Sequence, residues 1–142
     1  SNKSLTSLDV RCVPKMSDSF EVMAGMLLND DATSSLAYMR CDAFDVLEGE
    51  SVLNLRERRL GAGAMRLLTG LLKNNREVQE LDLAATNVQT EWVLSLIDVI
   101  AASPKSTIST LNIPYNPAID EVGQRALAAA VEQRGLKISL NF

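Results

Sequence analysis

The chain contains no histidine. Imidazole acid–base catalysis, histidine-dependent catalytic triads and histidine metal sites are therefore excluded. Cysteine is nearly missing too, with Cys12 and Cys41 the only two. Two thiols permit one disulfide but make no disulfide framework, and an all-cysteine zinc site takes four. Both lie among apolar residues of expected strands, so they read as small buried hydrophobes of a reducing compartment. Reactivity would need a neighbouring base or a depressed pKa, and no imidazole supplies it. Aromatic residues make up only 4%, and no basic stripe interleaves with them. The stacking platform of single-stranded nucleic-acid binding is thus not expected. No run of about 18 apolar residues occurs, so no transmembrane helix is expected. The opening Ser1-Asn2-Lys3-Ser4 lacks a basic segment leading into an apolar one, and it lacks an initiator Met. The expectation is a piece of a longer protein, with any signal or anchor upstream of it, and a cytoplasmic location.

What is present is an ordinary globular balance. Of 142 residues, 46% are hydrophobic and 23% charged, which fits one domain and argues against disorder. The 14 basic and 18 acidic side chains give a net charge of -4. Such a balance provides no electrostatic reason to bind nucleic acid or anionic lipid.

A short pattern recurs along the chain. Val78-Gln79-Glu80-Leu81-Asp82-Leu83 reads apolar, two polar, apolar, polar, apolar. Ile108 to Ile113 and Leu5 to Val10 repeat it, and Leu36 to Cys41 is a softer copy. Ser51 to Leu55 carries its centre, and Ile138-Ser139-Leu140 closes the chain. Taking Leu8, Met39, Leu53, Leu81, Leu111 and Ile138 as central positions, the steps are 31, 14, 28, 30 and 27 residues. Each long step holds apolar residues at i, i+3, i+4 spacing, which predicts helices over 18–29, 61–73, 90–102 and 120–134. Asp18 and Glu21 are spaced as a capping box; Thr90 and Asp120 are expected N-caps, and Gly135 stands past the end of the last helix. Each unit is then a strand, a turn and a helix that returns the chain for a parallel strand. One such unit cannot bury its apolar side alone, whereas stacked units share a continuous core. The 14-residue step has no room for a helix. It permits a shortened parallel unit or an antiparallel hairpin of residues 36–46 with 51–55; the match of Met39, Cys41 and Val46 to Leu53, Leu55 and Leu60 favours the shortened parallel unit.

The unit resembles a leucine-rich repeat of the ribonuclease-inhibitor-like kind, L-x-x-L-x-L-x-x-N-x-L with a helix and a period of about 20–29 residues. Ile108, Leu111, Ile113 and Asn116 match the motif up to its Asn. Val78, Leu81, Leu83 and Val88 match with Thr86 in the Asn place; Leu53, Leu55 and Leu60 match with Arg58 there. Leu8 and Val10 carry Val13 in that place, and Met39, Cys41 and Val46 carry Phe44. The repeat domains of ribonuclease inhibitor, Ran GTPase activators and tropomodulin are looser relatives in appearance. The resemblance implies an α/β fold, a short solenoid of right-handed strand–helix units with a curved parallel sheet on its concave side and helices on its convex side. The units fall near 5–35, 36–49 (shortened), 50–77, 78–107 and 108–135, with a closing strand in 136–142. A compact α/β sandwich is the structural alternative, but its strands should be continuous apolar runs rather than alternating ones.

The family implies a non-enzymatic module that binds a partner protein through the concave sheet. Polar strand residues facing that side would be Asp9, Arg11, Arg40, Asp42, Asn54, Arg56, Asp82, Asn112 and Ser139. The candidate partner-binding set is Arg40, Asn54, Arg56, Asp82, Asn112 and Tyr115, since Arg and Tyr are enriched among binding hot spots. The alternatives are a structural or assembly subunit, self-associating or packing on neighbouring domains of a longer chain, and, more remotely, a regulator of a small GTPase through Arg58. No catalytic group, cofactor, metal, nucleic acid or membrane is expected. Gly61-Ala62-Gly63-Ala64-Met65 fits neither a P-loop nor a dinucleotide fingerprint and reads as close packing at a strand-to-helix turn. The acid pairs Asp42/Asp45 and Asp30/Asp31 read as solvated loop carboxylates. Trp92 reads as core packing in the first turn of a helix, and Pro114 and Pro117 as stiffeners of the turn around Asn116.

Overall fold

The computed structural model describes residues 6–11, 19–28 and 36–142. Its elements run β1 (Ser7–Asp9), α1 (Phe20–Leu28), β2 (Tyr38–Arg40), β3 (Asp45–Val46), β4 (Val52–Asn54), α2 (Ala62–Asn74), β5 (Glu80–Asp82), α3 (Thr90–Ala102), β6 (Thr110–Asn112), α4 (Glu121–Gln133) and β7 (Ser139–Asn141). The fold is mixed α/β, with four helices and a parallel four-stranded sheet in the order β4-β5-β6-β7 among the described residues. A second sheet has the order β1-β2-β3.

Alternation explains the strands. Leu53, Leu81 and Leu111 pair with one another in register and are buried, while the residues on either side turn to the opposite face. Burying a leucine side chain contributes about 1.5–3 kcal/mol. The helices pack in chain order, α1 on α2, α2 on α3, α3 on α4. Their apolar stripes, such as Leu67, Leu68, Leu71 and Leu72 of α2 and Val93, Leu96, Ile97 and Ile100 of α3, join the strand leucines in one core. Gly63 and Gly70 let α1 lie close to α2: a Cβ at Gly63 would stand 3.2 Å from that of Phe20, and one at Gly70 2.7 Å from that of Leu27.

The turn leaving each strand also recurs. Glu57, Ala85 and Tyr115 all adopt left-handed backbone, with φ of 66°, 54° and 61°. Successive turns stack through Glu57 N–H to Ala84 O at 2.9 Å and Ala85 N–H to Pro114 O at 3.0 Å. A left-handed conformation costs a non-glycine residue about 1–2 kcal/mol. Its presence at three equivalent positions marks it as part of the architecture, not as strain reserved for a site.

Asn116 is the buried polar residue that ties two of these turns together. It is 5% exposed. Its Nδ2 donates to Leu83 O at 2.9 Å and Ile113 O at 3.0 Å, and its Oδ1 accepts from Thr86 N–H at 3.1 Å and Val88 N–H at 3.3 Å. Asn75, also buried, does similar work at the other strand end. Its Oδ1 accepts from Glu77 and Val78 N–H, and its Nδ2 donates to Ala37 O in the segment entering β2.

Several expectations are corrected. Residues 36–49 do not form a shortened parallel unit: β2 and β3 pair antiparallel, Met39 with Val46 and Arg40 with Asp45. The turn between them is closed by Cys41 N–H donating to Phe44 O at 3.0 Å. Met39, Cys41, Phe44 and Val46 are all buried, so either geometry satisfies the apolar pattern and the backbone bond decides. The hairpin is tighter than the alternative that joined residues 36–46 to 51–55, since β4 begins the other sheet. The closing strand is registered on Leu140, which pairs with Leu111, and not on Ile138. Thr90 is not an N-cap; that position is Gln89, with no side-chain cap, and the Thr90 hydroxyl instead donates to Ala118 O. Asp120 does cap α4, accepting from Gly123 N–H at 2.8 Å, and Gly135 adopts φ 64° past its end. Asp18 and Cys12 lie outside the described residues.

Candidate functional site

The parallel ladder aligns one polar residue per strand across the open face of the four-stranded sheet. Asn54 pairs with Asp82, Asp82 with Asn112, and Asn112 with Asn141. Neighbouring strands are about 4.8 Å apart, so the row is straight and closely spaced. The residue two earlier on each strand lies on the same face, adding Val52, Glu80, Thr110 and Ser139. The leucine between them faces the core, which fixes the direction of both polar neighbours.

Local hydrogen bonds hold the row. Asn112 Nδ2 donates to Glu80 Oε1 at 2.7 Å, and Asn141 Nδ2 donates to Asn112 Oδ1. Asp82 Oδ1 accepts from Ala84 N–H at 2.9 Å, and its other oxygen lies 3.5 Å from Arg56 Nε. Asn54 Oδ1 accepts from Arg56 N–H at 3.0 Å. Asp82 and Arg56 are thus set by both strand register and the following turn. The Asp82 side chain is 16% exposed and that of Arg56 48%, so the pair presents its cationic end outward. Tyr115 stands at the turn after β6, 75% exposed and left-handed in backbone.

Of the six residues expected to bind a partner, Asn54, Arg56, Asp82 and Asn112 are brought together, and Tyr115 borders them at the end of β6. Arg40 is not among them. It lies on β2 in the other sheet, with Asp45 3.7 Å from its Nε, and that nitrogen is buried without a hydrogen-bond partner. Its displacement follows directly from the hairpin. Beside it, Asp9 is drawn down to a pKa of about 2, first by the Arg11 side chain, which grips its carboxylate at 2.8 Å.

Residues missed from sequence are Glu80, Thr110 and Asn141. The alternation of β5 and β6 would have found the first two; Asn141 was hidden by the two-residue shift in register of β7. Of the other residues singled out, Cys41 is a free, buried thiol whose pKa burial pushes upward. Trp92 is partly buried against the core and lines a groove of about 240 Å3 with Met65, Arg66 and Val99. Gly63 supports the close-packing reading of its glycine-rich segment, whereas a Cβ at Gly61 would meet nothing. Arg58 donates from Nη1 to Ala43 O at 3.4 Å.

Among the described residues, no helix is long and apolar enough to cross a membrane, and no group of three or more acidic or cysteine side chains is placed to hold a metal ion. No protein-family model matches the chain, and no match to it was found among curated proteins.

Proposed function

We propose that this chain is a non-enzymatic protein-interaction module, built as a short leucine-rich-repeat solenoid that binds a partner protein through its open sheet face. One observation carries the reading: the in-register row Asn54, Asp82, Asn112 and Asn141, backed by a rigid apolar layer, with Arg56 and Tyr115 at its edge. A preorganised polar surface loses little freedom on binding, and Arg and Tyr supply the anchors. The period of the strands, the turn at Glu57, Ala85 and Tyr115, and the bridging Asn116 support the repeat assignment.

The test is a charge swap. Arg56→Asp with Asp82→Arg keeps an ion pair of the same kind while inverting the surface. The swapped chain is expected to remain folded by circular dichroism and to lose a protein that the wild type captures from a native lysate. Capture unchanged by the swap and by Tyr115→Ala would refute the sheet-face site.

A second reading, a subunit of a larger assembly, is favoured by α1. Val22 and Met26 are each 66% exposed on that short, apolar helix. Sedimentation that shows concentration-dependent association, lost with Val22→Glu and Met26→Glu, would support it.

A further inference from the structure

At the strand ends remote from Arg56 and Tyr115, a cleft of about 350 Å3 is bordered by Thr6, Tyr38, Asn74, Arg76, Glu77 and Lys105. It lies between the first sheet and the loops that precede β5 and β6. Its charges differ from those elsewhere in the molecule. Arg11, Arg40, Arg56, Arg66, Arg125 and Arg134 each face a carboxylate within ion-pair distance. Arg58 and Lys73 donate to backbone carbonyls. Among the described cations, Arg59, Arg76, Lys105 and Lys137 are those whose side chains have no hydrogen bond or ion pair, and two of these four border this one cleft.

The one carboxylate among the described residues of its wall is already engaged. Glu77 Oε2 accepts from the Tyr38 hydroxyl at 2.9 Å and from Gly49 N–H at 2.7 Å. That clamp holds the carboxylate against the wall, and it forms no ion pair with Arg76 or Lys105. The charged residues described on its wall, Arg76, Lys105 and Glu77, sum to one net positive charge within a chain of net charge -4, and Glu48 lies near enough to act on Tyr38 at its edge.

We propose that this cleft binds a single oxyanion, a phosphate or carboxylate group, between Arg76 and Lys105. A guanidinium offers a planar fork that matches two oxygens of such a group, and an ammonium adds a compact point charge. The Thr6 hydroxyl borders the same space and supplies an uncharged donor. Asn74 forms part of the wall, held there by its Nδ2 bond to Leu36 O at 3.0 Å. Glu77 opposes a second negative charge, so the group favoured is singly charged. The site is independent of the sheet face and stands if that reading fails.

The experiment is a nuclear magnetic resonance titration of the whole chain with inorganic phosphate and, separately, with acetate, at constant ionic strength against chloride. Saturable shifts are expected at the Asn74 side-chain amide and at the backbone amides of Arg76 and Lys105. A preference for phosphate would assign a phosphate ligand, and equal or tighter acetate binding a carboxylate one. Arg76→Gln with Lys105→Gln should weaken binding by at least about tenfold. Arg59→Gln with Lys137→Gln removes the same charge elsewhere and should leave it unchanged. Lys105→Gln alone, in an exposed turn, should weaken binding partway and serves if the double variant does not fold. Glu77→Gln keeps an acceptor for Tyr38 and should strengthen binding. Shifts that fail to saturate, or that fall equally in the two double variants, would overturn the proposal in favour of general screening.

Discussion

Replacing Asn116 by alanine removes the only acceptor, among the described residues, of two buried backbone N–H groups, those of Thr86 and Val88. Of the carbonyls it serves, Leu83 O still accepts from the Thr86 hydroxyl at 2.7 Å and Pro114 O from Ala85 N–H at 3.0 Å, whereas Ile113 O loses its Asn116 donor. A buried donor left unpaired costs about 1–3 kcal/mol, so two cost about 2–6 kcal/mol. That is a large share of the stability of about 5–15 kcal/mol usual for a domain. Thr86→Val is the internal control. It removes one hydrogen bond to Leu83 O while Asn116 still serves that carbonyl, and should cost about 1 kcal/mol. Urea unfolding followed by circular dichroism reads both. With a slope of about 2 kcal/mol per molar, Asn116→Ala should lower the midpoint by about 1–3 M at unchanged slope. A loss no larger than that of Thr86→Val would refute the view that this side chain holds adjacent turns together.

Three further predictions concern packing and ionisation. Gly70→Ala places a Cβ 2.7 Å from that of Leu27 and should cost about 1–3 kcal/mol. Gly25→Ala meets nothing within 4 Å and should stabilise α1 by about 0.5–1 kcal/mol in the same urea assay. The Tyr38 phenol is pushed up to about 12 from 10.0, first by burial and then by its hydrogen bond to Glu77. The folded state thus favours the neutral phenol, so this contribution to stability is full below pH 10 and is lost as pH rises towards 12. Ultraviolet titration in a Tyr115→Phe background should show it, and Glu77→Gln should bring the value partway down while burial keeps it above 10.

The strands and helices were legible because leucines two apart, followed by leucines three and four apart, mean different periods. Three of the parallel pairings were visible in this way, and Asp120 and Gly135 marked the limits of α4. Ile138 and Leu140 were not distinguishable as central residues, because both fit an apolar position two apart; only the bonds between β6 and β7 choose Leu140. The hairpin at β2 and β3 was hidden for a related reason. Its turn has no glycine or proline, and its buried residues fit a parallel strand as well as an antiparallel one. Arg40 was assigned to the wrong sheet in consequence. Asn75 carried a signal, since it follows a helix that ends in Lys73-Asn74, but its role depends on Ala37, 38 residues away in the chain. The seven-residue spacing of Gly63 and Gly70 gains meaning only beside Phe20 and Leu27.

The sheet-face reading is tested most directly by a photo-crosslinking aromatic residue placed at position 115, which is exposed beside the polar row, and at position 122, which is 73% exposed on α4. Irradiated in a native lysate, the chain labelled at 115 should yield one discrete crosslinked partner that is absent from the chain labelled at 122. That partner should also disappear in the Arg56→Asp, Asp82→Arg background. The same crosslinks from both positions, or a crosslink at 115 that survives the charge swap, would contradict the account.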